Sequence, residues 1–174
     1  MLMRKDALAA ASEFVLQTER LAAAREGLVA TVGKLHIINA ASNVVPGEVI
    51  ASLDVRSANE RLLAESYTWL REKAEAICTN RNIELQWSDV QQTAPVLCDE
   101  KQNELLSQSI KESGYELIEM VSGAGHDAVP ISAVSPVSML FVRCFKGISH
   151  NPLENVELDD LAAAEPSPAL AQKL

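Results

Sequence analysis

The sequence predicts an α+β chain: a split-βαβ sandwich whose first strand is missing, followed by α/β pieces of a larger domain. Three observations carry this. Segments with helical and strand periodicity come in the order helix, strand, strand, helix, strand over the first ninety residues. One strand placed in front would complete a β-α-β-β-α-β unit. Beyond Ala94-Pro95 the pattern changes to helix, short strand, glycine turn and a dense apolar strand.

Taken in order, Leu8, Ala11, Val15, Thr18 and Ala22 share one face of a helix, with Phe14 and Leu21 beside them and Gly27 as its stop. Residues 31–39 are rich in Val, Leu and Ile and predict a strand that contains His36. Asn43-Val-Val-Pro-Gly47 predicts a turn. Residues 48–56 alternate, with Val49, Ala51, Leu53 and Val55 on one face and Ile50, Ser52, Asp54 and Arg56 on the other. That is the pattern of a half-buried antiparallel strand. Ser57-Ala-Asn-Glu60 has the spacing of a capping box. The helix behind it carries Leu63, Tyr67, Leu70, Ala74 and Ile77 inward and ends at Asn80 and Asn82. Ile83, Leu85 and Trp87 alternate with polar residues as a further strand.

The second half predicts a helix over about 100–113, with Leu105, Leu106 and Ile110 inward and Gly114 as its end. A short strand follows over 115–121. Ser122-Gly-Ala-Gly125 turns into a short helical stretch. Residues 136–144 form an apolar strand, residues 147–151 a loop, and residues 155–164 a last helix broken by Pro166 and Pro168. The domains expected are 1–92 and 93–174.

Composition excludes several classes. Of the 174 residues, 48% are hydrophobic and 22% charged, which fits a globular chain and not a disordered one. Net charge is −9 with no Lys/Arg cluster, which argues against nucleic acid as a partner. No apolar run approaches the length of a membrane span, and no signal core follows Arg4 and Lys5. Cys78, Cys98 and Cys144 are odd in number and widely spaced, so the expectation is reduced thiols in a cytoplasmic protein.

Three clusters could carry chemistry. Gly123, Ala124 and Gly125 stand at a strand-to-helix junction, where free N–H groups could meet a carboxylate or an oxyanion; the same glycines serve equally in a tight turn. His126 and Asp127 beside them suit an acid–base pair or a structural contact. His150, in Gly147-Ile-Ser-His-Asn-Pro152, lies on a loop after a buried strand, where α/β sites form. One histidine supplies one ligand, whereas a metal site needs three or four groups. Asn43 and Arg56 sit near the two ends of one strand, and both could face one cleft. An arginine fork holds a carboxylate, and an amide holds its second oxygen or a ureido group. They also read as a turn residue and a solvated arginine. His36 and Cys144 read as structural, and Glu13, Glu19 and Glu26 as solvated.

The combined order of Ser122-Gly-Ala-Gly-His-Asp-Ala128, Met139-Leu-Phe-Val142, Gly147-Ile-Ser-His-Asn-Pro152 and Asn155-Val-Glu resembles the C-terminal end of the allantoate amidohydrolase and N-carbamoyl-L-amino-acid hydrolase family. Arg4-Lys-Asp-Ala-Leu, Thr31-Val-Gly-Lys34, the Asn43 turn and Leu53-Asp-Val-Arg56 resemble that family's inserted lid. The resemblance covers residues 1 to about 162. It implies a lid that pairs with a second subunit, followed by part of a catalytic domain with two divalent metals, zinc or manganese. By that resemblance His150 is the last metal ligand. Asn43 and Arg56 hold the substrate carboxylate, and Gly123, Ala124, Gly125 and His126 line the substrate.

The family's other ligands, its general-base glutamate and its His-Ala-Gly-Thr-Thr-Pro lid histidine precede the matched region. The chain therefore starts partway through the family's sequence. The tail from Glu165 departs from the family's helix. The expectation is a chain that alone holds no stable metal, is inactive, and is marginally stable or dimeric. The other readings are a non-catalytic dimerisation module that binds small carboxylates, or a separate α/β enzyme using His126 and Asp127.

Overall fold

A computed structural model describes residues 4–164. Pro166 and Pro168, expected to break the last helix, and the tail from Glu165 lie outside the described residues. The chain divides into two compact units, one ending at Pro95 and the other starting at Val96.

The first unit opens with α1, Ala7–Ala24. Asp6 caps it by accepting the N–H of Ala9 at 3.0 Å and is also paired with Arg4. Those contacts, the Ala9 amide foremost, hold the Asp6 carboxyl below its ordinary range. A depressed folded pKa stabilises the helix start above the unfolded value, and this is lost as pH falls through the folded one. Acidification into that range is therefore expected to fray the first turn of α1. The protection of the Ala9 amide relative to a free peptide should fall there in the parent chain and be low at every pH in Asp6→Ala. Uniform protection of Ala9 across the acid range would contradict the cap.

The helix buries Ala7, Ala10, Thr18 and Leu21. The expected face is met at Thr18 and at Leu21 beside it, whereas Leu8, Ala11, Val15 and Ala22 are only half-buried. In an alanine-rich helix neighbouring positions are nearly equivalent in apolarity, so periodicity fixes the face only loosely. Glu13 is not a solvated carboxylate, because Arg81 reaches it at 2.7 and 2.9 Å and ties α1 to the end of the next helix.

Gly27, at φ +77°, turns the chain into β1, Val29–Ile37, which pairs antiparallel with β2, Val49–Arg56. The register runs from Val29 opposite Arg56 to Ile37 opposite Val49, with an irregularity between Thr31 and Lys34. There the Lys34 amide donates to the Ser52 hydroxyl at 3.0 Å, a side chain replacing a ladder partner. In β2 Val49, Leu53 and Val55 are half-buried and Ile50, Ser52, Asp54 and Arg56 exposed, as the alternation requires, but Ala51, expected on the inward face, is exposed too.

The second helix, α2, spans Glu60–Asn80. Its cap is Asn59, which accepts the Leu62 amide at 3.0 Å. Ser57, the residue expected to cap it, instead accepts the Asn59 amide at 3.1 Å and donates to the Gly27 carbonyl at 2.8 Å. The capping-box spacing was matched by a serine two residues too early, and the nearer Asn side chain won the orphan N–H. The inward stripe runs as expected, with Leu70, Ala74 and Ile77 buried and Leu63 and Tyr67 half-buried. Leu70, fully buried, centres the core with Leu21 and Leu28; Ala30, Leu53, Val55 and Trp69 pack against it.

Residues 83–88 are extended but join no ladder among the described residues. Their alternation is real: Ile83, Leu85 and Trp87 are half-buried and the residues between them exposed. Side chains hold the segment. Trp87 packs edge-on against Phe14 and Tyr67 and donates to the Tyr67 oxygen at 2.9 Å, while the Tyr67 hydroxyl donates to Asp89 at 2.5 Å.

The second unit begins with α3, Glu100–Glu112, capped by Asp99 and ended near Gly114 at φ +82°. Leu105, Leu106 and Ile110 are half-buried. The strands expected at 115–121 and 136–144 pair with nothing among the described residues; the Asp99 amide does donate to the Val137 carbonyl at 2.8 Å. Two short helices follow, α4, Ala128–Ile131, and α5, Leu158–Ala164. The last starts three residues later than Asn155. Among the described residues every buried side chain lies in the first unit, while Ile118, Val121, Val134 and Leu158 are exposed.

Candidate functional site

The glycine turn of the second unit is organised by one side chain that the motif analysis passed over. Ser122 Oγ lies 2.7 Å from His126 Nε2 and accepts the Ala124 amide at 3.3 Å. The His126 carbonyl accepts the Val129 amide at 2.9 Å, so the histidine is fixed at both backbone and ring. Neither Gly123 nor Gly125 has a positive φ, and a Cβ built on either meets nothing within 4 Å. The turn therefore requires no glycine for its own conformation or packing. Asp127 starts α4 without a side-chain cap bond. A serine four residues before a histidine across two glycines was the available signal for the Ser122 contact.

His150 occupies a loop closed at its base by the Phe145 amide on the Asn155 carbonyl at 2.7 Å. Its φ is +56°, a left-handed conformation uncommon outside glycine, although histidine is among the residues found there more often. The Glu154 carboxylate accepts the His150 amide at 2.8 Å and holds this backbone. Lys146 and Gly147, at φ +54° and +66°, make the preceding turn. The imidazole is exposed.

Asn43 and Arg56 attach at different ends of the β1–β2 hairpin. The Asn43 loop joins the strands at the Ile37–Val49 end, and its Pro46 carbonyl accepts the Ala7 amide at the start of α1. Arg56 stands opposite Val29 at the other end of the hairpin. Seven strand steps of roughly 3.3 Å separate those ends. Both are exposed. Arg56 Nε and Nη2 meet Asp54 at 2.6 and 2.9 Å, and this pairing raises the already high guanidinium pKa.

Among the described residues no three His, Cys, Asp or Glu side chains gather as a metal cage. His36 is exposed on β1 in the first unit, away from the other two histidines in sequence and unit. The residues present do not by themselves fit a resident metal centre. A groove of about 460 Å³ between α1 and α2, floored by Leu21 and Trp69 and edged by Arg25, Glu65 and Glu72, includes none of the expected site residues. No helix among the described residues is long and apolar enough to cross a membrane.

Comparison with known proteins follows the same lines. The sequence profile described as Peptidase family M20/M25/M40 matches residues 5–165. An N-carbamoyl-L-amino acid amidohydrolase of Geobacillus stearothermophilus is 34% identical over 162 residues, 93% of this chain and 40% of that protein. An allantoate amidohydrolase of Bacillus subtilis (strain 168) is 34% identical over 155 residues, 87% of this chain and 37% of that protein. The crystal structure of an amidase of the hydantoinase/carbamoylase family from Burkholderia multivorans superposes with a TM-score of 0.88 at 32% identity, over 94% of this chain and 40% of that one. The chain thus spans about two fifths of the length of the curated relatives it matches.

Proposed function

The chain belongs to peptidase family M20/M25/M40, and from that premise we propose that it is part of a hydrolase of linear amide or ureido C–N bonds. The substrate class is a small carboxylate such as allantoate or an N-carbamoyl-L-amino acid. The observation that carries the reading is the 34% identity to an N-carbamoyl-L-amino acid amidohydrolase along nearly the whole chain, both units included.

In this reading the first unit is the family's lid, a sandwich to which β1 and β2 contribute, and it pairs with a second copy. The second unit belongs to the catalytic domain. His150 is one ligand of a site for two divalent metals, zinc or manganese, whose other ligands come from sequence outside this chain. The backbone of the His150 loop, held by Glu154 at 2.8 Å, suits a ligand kept in one place. Gly123, Ala124, Gly125 and His126 line the substrate, and a Cβ built on Gly125 meets nothing within 4 Å, which leaves room on that side of the turn. Asn43 and Arg56 take substrate oxygens. The absence of a three-ligand cluster among the described residues favours a second role for the chain by itself, as a non-catalytic dimerisation and small-carboxylate-binding module.

The test joins residues 1–174 to the preceding portion of the Geobacillus relative and assays N-carbamoyl-L-amino acids and allantoate with zinc or manganese. Hydrolysis of at least one is expected, lost in His150→Ala by about a thousandfold or more, the scale of removing an essential catalytic group. A folded, metal-loaded protein that cleaves neither substrate would overturn the reading.

A further inference from the structure

We propose that β2 and residues 83–88 are the two walls of a seat for one extended polypeptide strand, supplied from outside this sequence and running antiparallel to both. The occupant is a strand that leads into the start of α1, carried by the part of the longer family members that this chain does not span. The inference concerns the assembly of the first unit and does not depend on the substrate reading.

Residues 83–88 have the shape of a strand and lack its bonds. Ile83, Leu85 and Trp87 are half-buried, and Glu84, Gln86 and Ser88 are exposed. Among the described residues the backbone of 84–88 makes no hydrogen bond, and β2 pairs along one edge only, with β1. Such a row of N–H and C=O groups is a template for a further strand.

Contacts fix the directions. The Ala7 amide donates to the Pro46 carbonyl at 3.0 Å and the Ser57 hydroxyl to the Gly27 carbonyl at 2.8 Å, so β2 runs alongside α1 from its start to its end. Arg81 reaches Glu13 while Leu70 packs with Leu21, so α2 runs the opposite way. Residues 83–89 then return along α2, from the Ile83 amide on the Cys78 carbonyl at 2.8 Å to Trp87 and Asp89 on Tyr67. They are therefore parallel to β2. Both segments lie on the same two helices. β2 does so through Leu53 and Val55, packed on Leu21, Leu28 and Leu70, and residues 83–88 through Trp87 on Phe14 and Tyr67. Yet the two do not pair with each other. Parallel segments left unpaired on one helix layer are what an absent antiparallel neighbour leaves. A strand joined by a short connection to the start of α1 runs opposite to α1, hence opposite to both walls, and completes the β-α-β-β-α-β order. Its inward residues are apolar at every second position, to match the half-buried Leu53, Val55, Leu85 and Trp87.

The experiment adds to the full chain a synthetic peptide copying the stretch of the Geobacillus stearothermophilus relative that directly precedes its matched region. About twenty residues are enough for a strand and its connection. Amide hydrogen exchange is read residue by residue by NMR. Successive N–H groups of a strand point to opposite edges. Every second amide within 84–88, and the amides of β2 that do not bond to β1, are therefore expected to gain protection together. A peptide with proline at the centre of its strand lacks one ladder donor and is expected to bind about tenfold more weakly, the size of one backbone hydrogen bond. Protection of 84–88 that rises with chain concentration in the absence of peptide would make a second copy the occupant and overturn the proposal. Protection confined to the outer edge of β1, protection of 84–88 without β2, and equal binding of the proline peptide would each do the same. So would no binding by a chain whose helix amides stay protected.

Discussion

Purified chain supplied with zinc or manganese is expected to hydrolyse neither allantoate nor N-carbamoyl-L-amino acids above the uncatalysed rate. Hydrolysis of an unactivated ureido or amide bond needs a strong nucleophile and stabilised charge, and enzymes supply at least about 10⁶-fold over the background reaction. A catalytic metal site needs about three protein ligands. The chain has three histidines. His36 belongs to the first unit and His126 and His150 to the second, and His126 Nε2 is already bonded to Ser122. No trio of ligating side chains forms among the described residues. The alternative of a serine nucleophile built from Ser122 and His126 lacks a third group that orients the ring, since no contact from Asp127 to it supplies that role among the described hydrogen bonds. Release of ammonia or free amino acid, measured over hours at high chain concentration, checks the expectation. Turnover that scales with chain and is abolished by a chelator would sink it, and with it the assignment of His150 as one ligand among several supplied from elsewhere.

The second large effect concerns stability. Leu70→Ala is expected to cost about 2–5 kcal/mol, the range for emptying a buried leucine site. Leu70 has no exposed surface and contacts both sequence-distant members of the core, Leu21 and Leu28. Small domains hold only about 5–15 kcal/mol in total, so the loss takes a large share. For a unit of this size it lowers Tm by on the order of 10–30 °C. Trp69 and Trp87, the only tryptophans, both lie in the first unit, so fluorescence follows that unit alone. Leu158→Ala serves as the control, because that side chain is 80% exposed. A Leu70→Ala melt within about two degrees of the parent would show that the core is not centred where the packing puts it.

The core of the first unit was legible because it is local. Leu63, Tyr67, Leu70, Ala74 and Ile77 repeat at the helical period, and the alternation of residues 49–56 survives in the burial of β2. The helix α1 was read correctly as an element and only in part as a face, met at Thr18 and Leu21 and missed at Ala7 and Ala10, since alanines on adjoining faces carry almost no directional signal. The cap of α2 was misplaced by two residues because Ser57 and Asn59 are both good caps, and only the fold shows Ser57 engaged with Gly27. In the candidate site, the Gly123–Gly125 turn, His126 and His150 were visible as motifs. Ser122 was visible as part of that motif but its contact to the ring was not read, and Glu154 was not visible, because its role is a contact to a neighbour's amide that no spacing rule assigns.

What the sequence by itself determined is the order and type of the helices, most of the alternation in β2, and the family. These depend on short-range periodicity and on motifs that are strings. What only the tertiary structure decided is which backbones pair and which residues meet. Residues 83–88, 115–121 and 136–144 all carry strand-like patterns, yet only β1 and β2 form a ladder among the described residues. Alternation specifies the face a side chain takes, whereas a ladder needs a second strand brought alongside to satisfy N–H and C=O groups. Asn43 and Arg56 are thirteen positions apart in the string, and the extended hairpin between them is what holds them at opposite ends, because a strand spends its length in one direction.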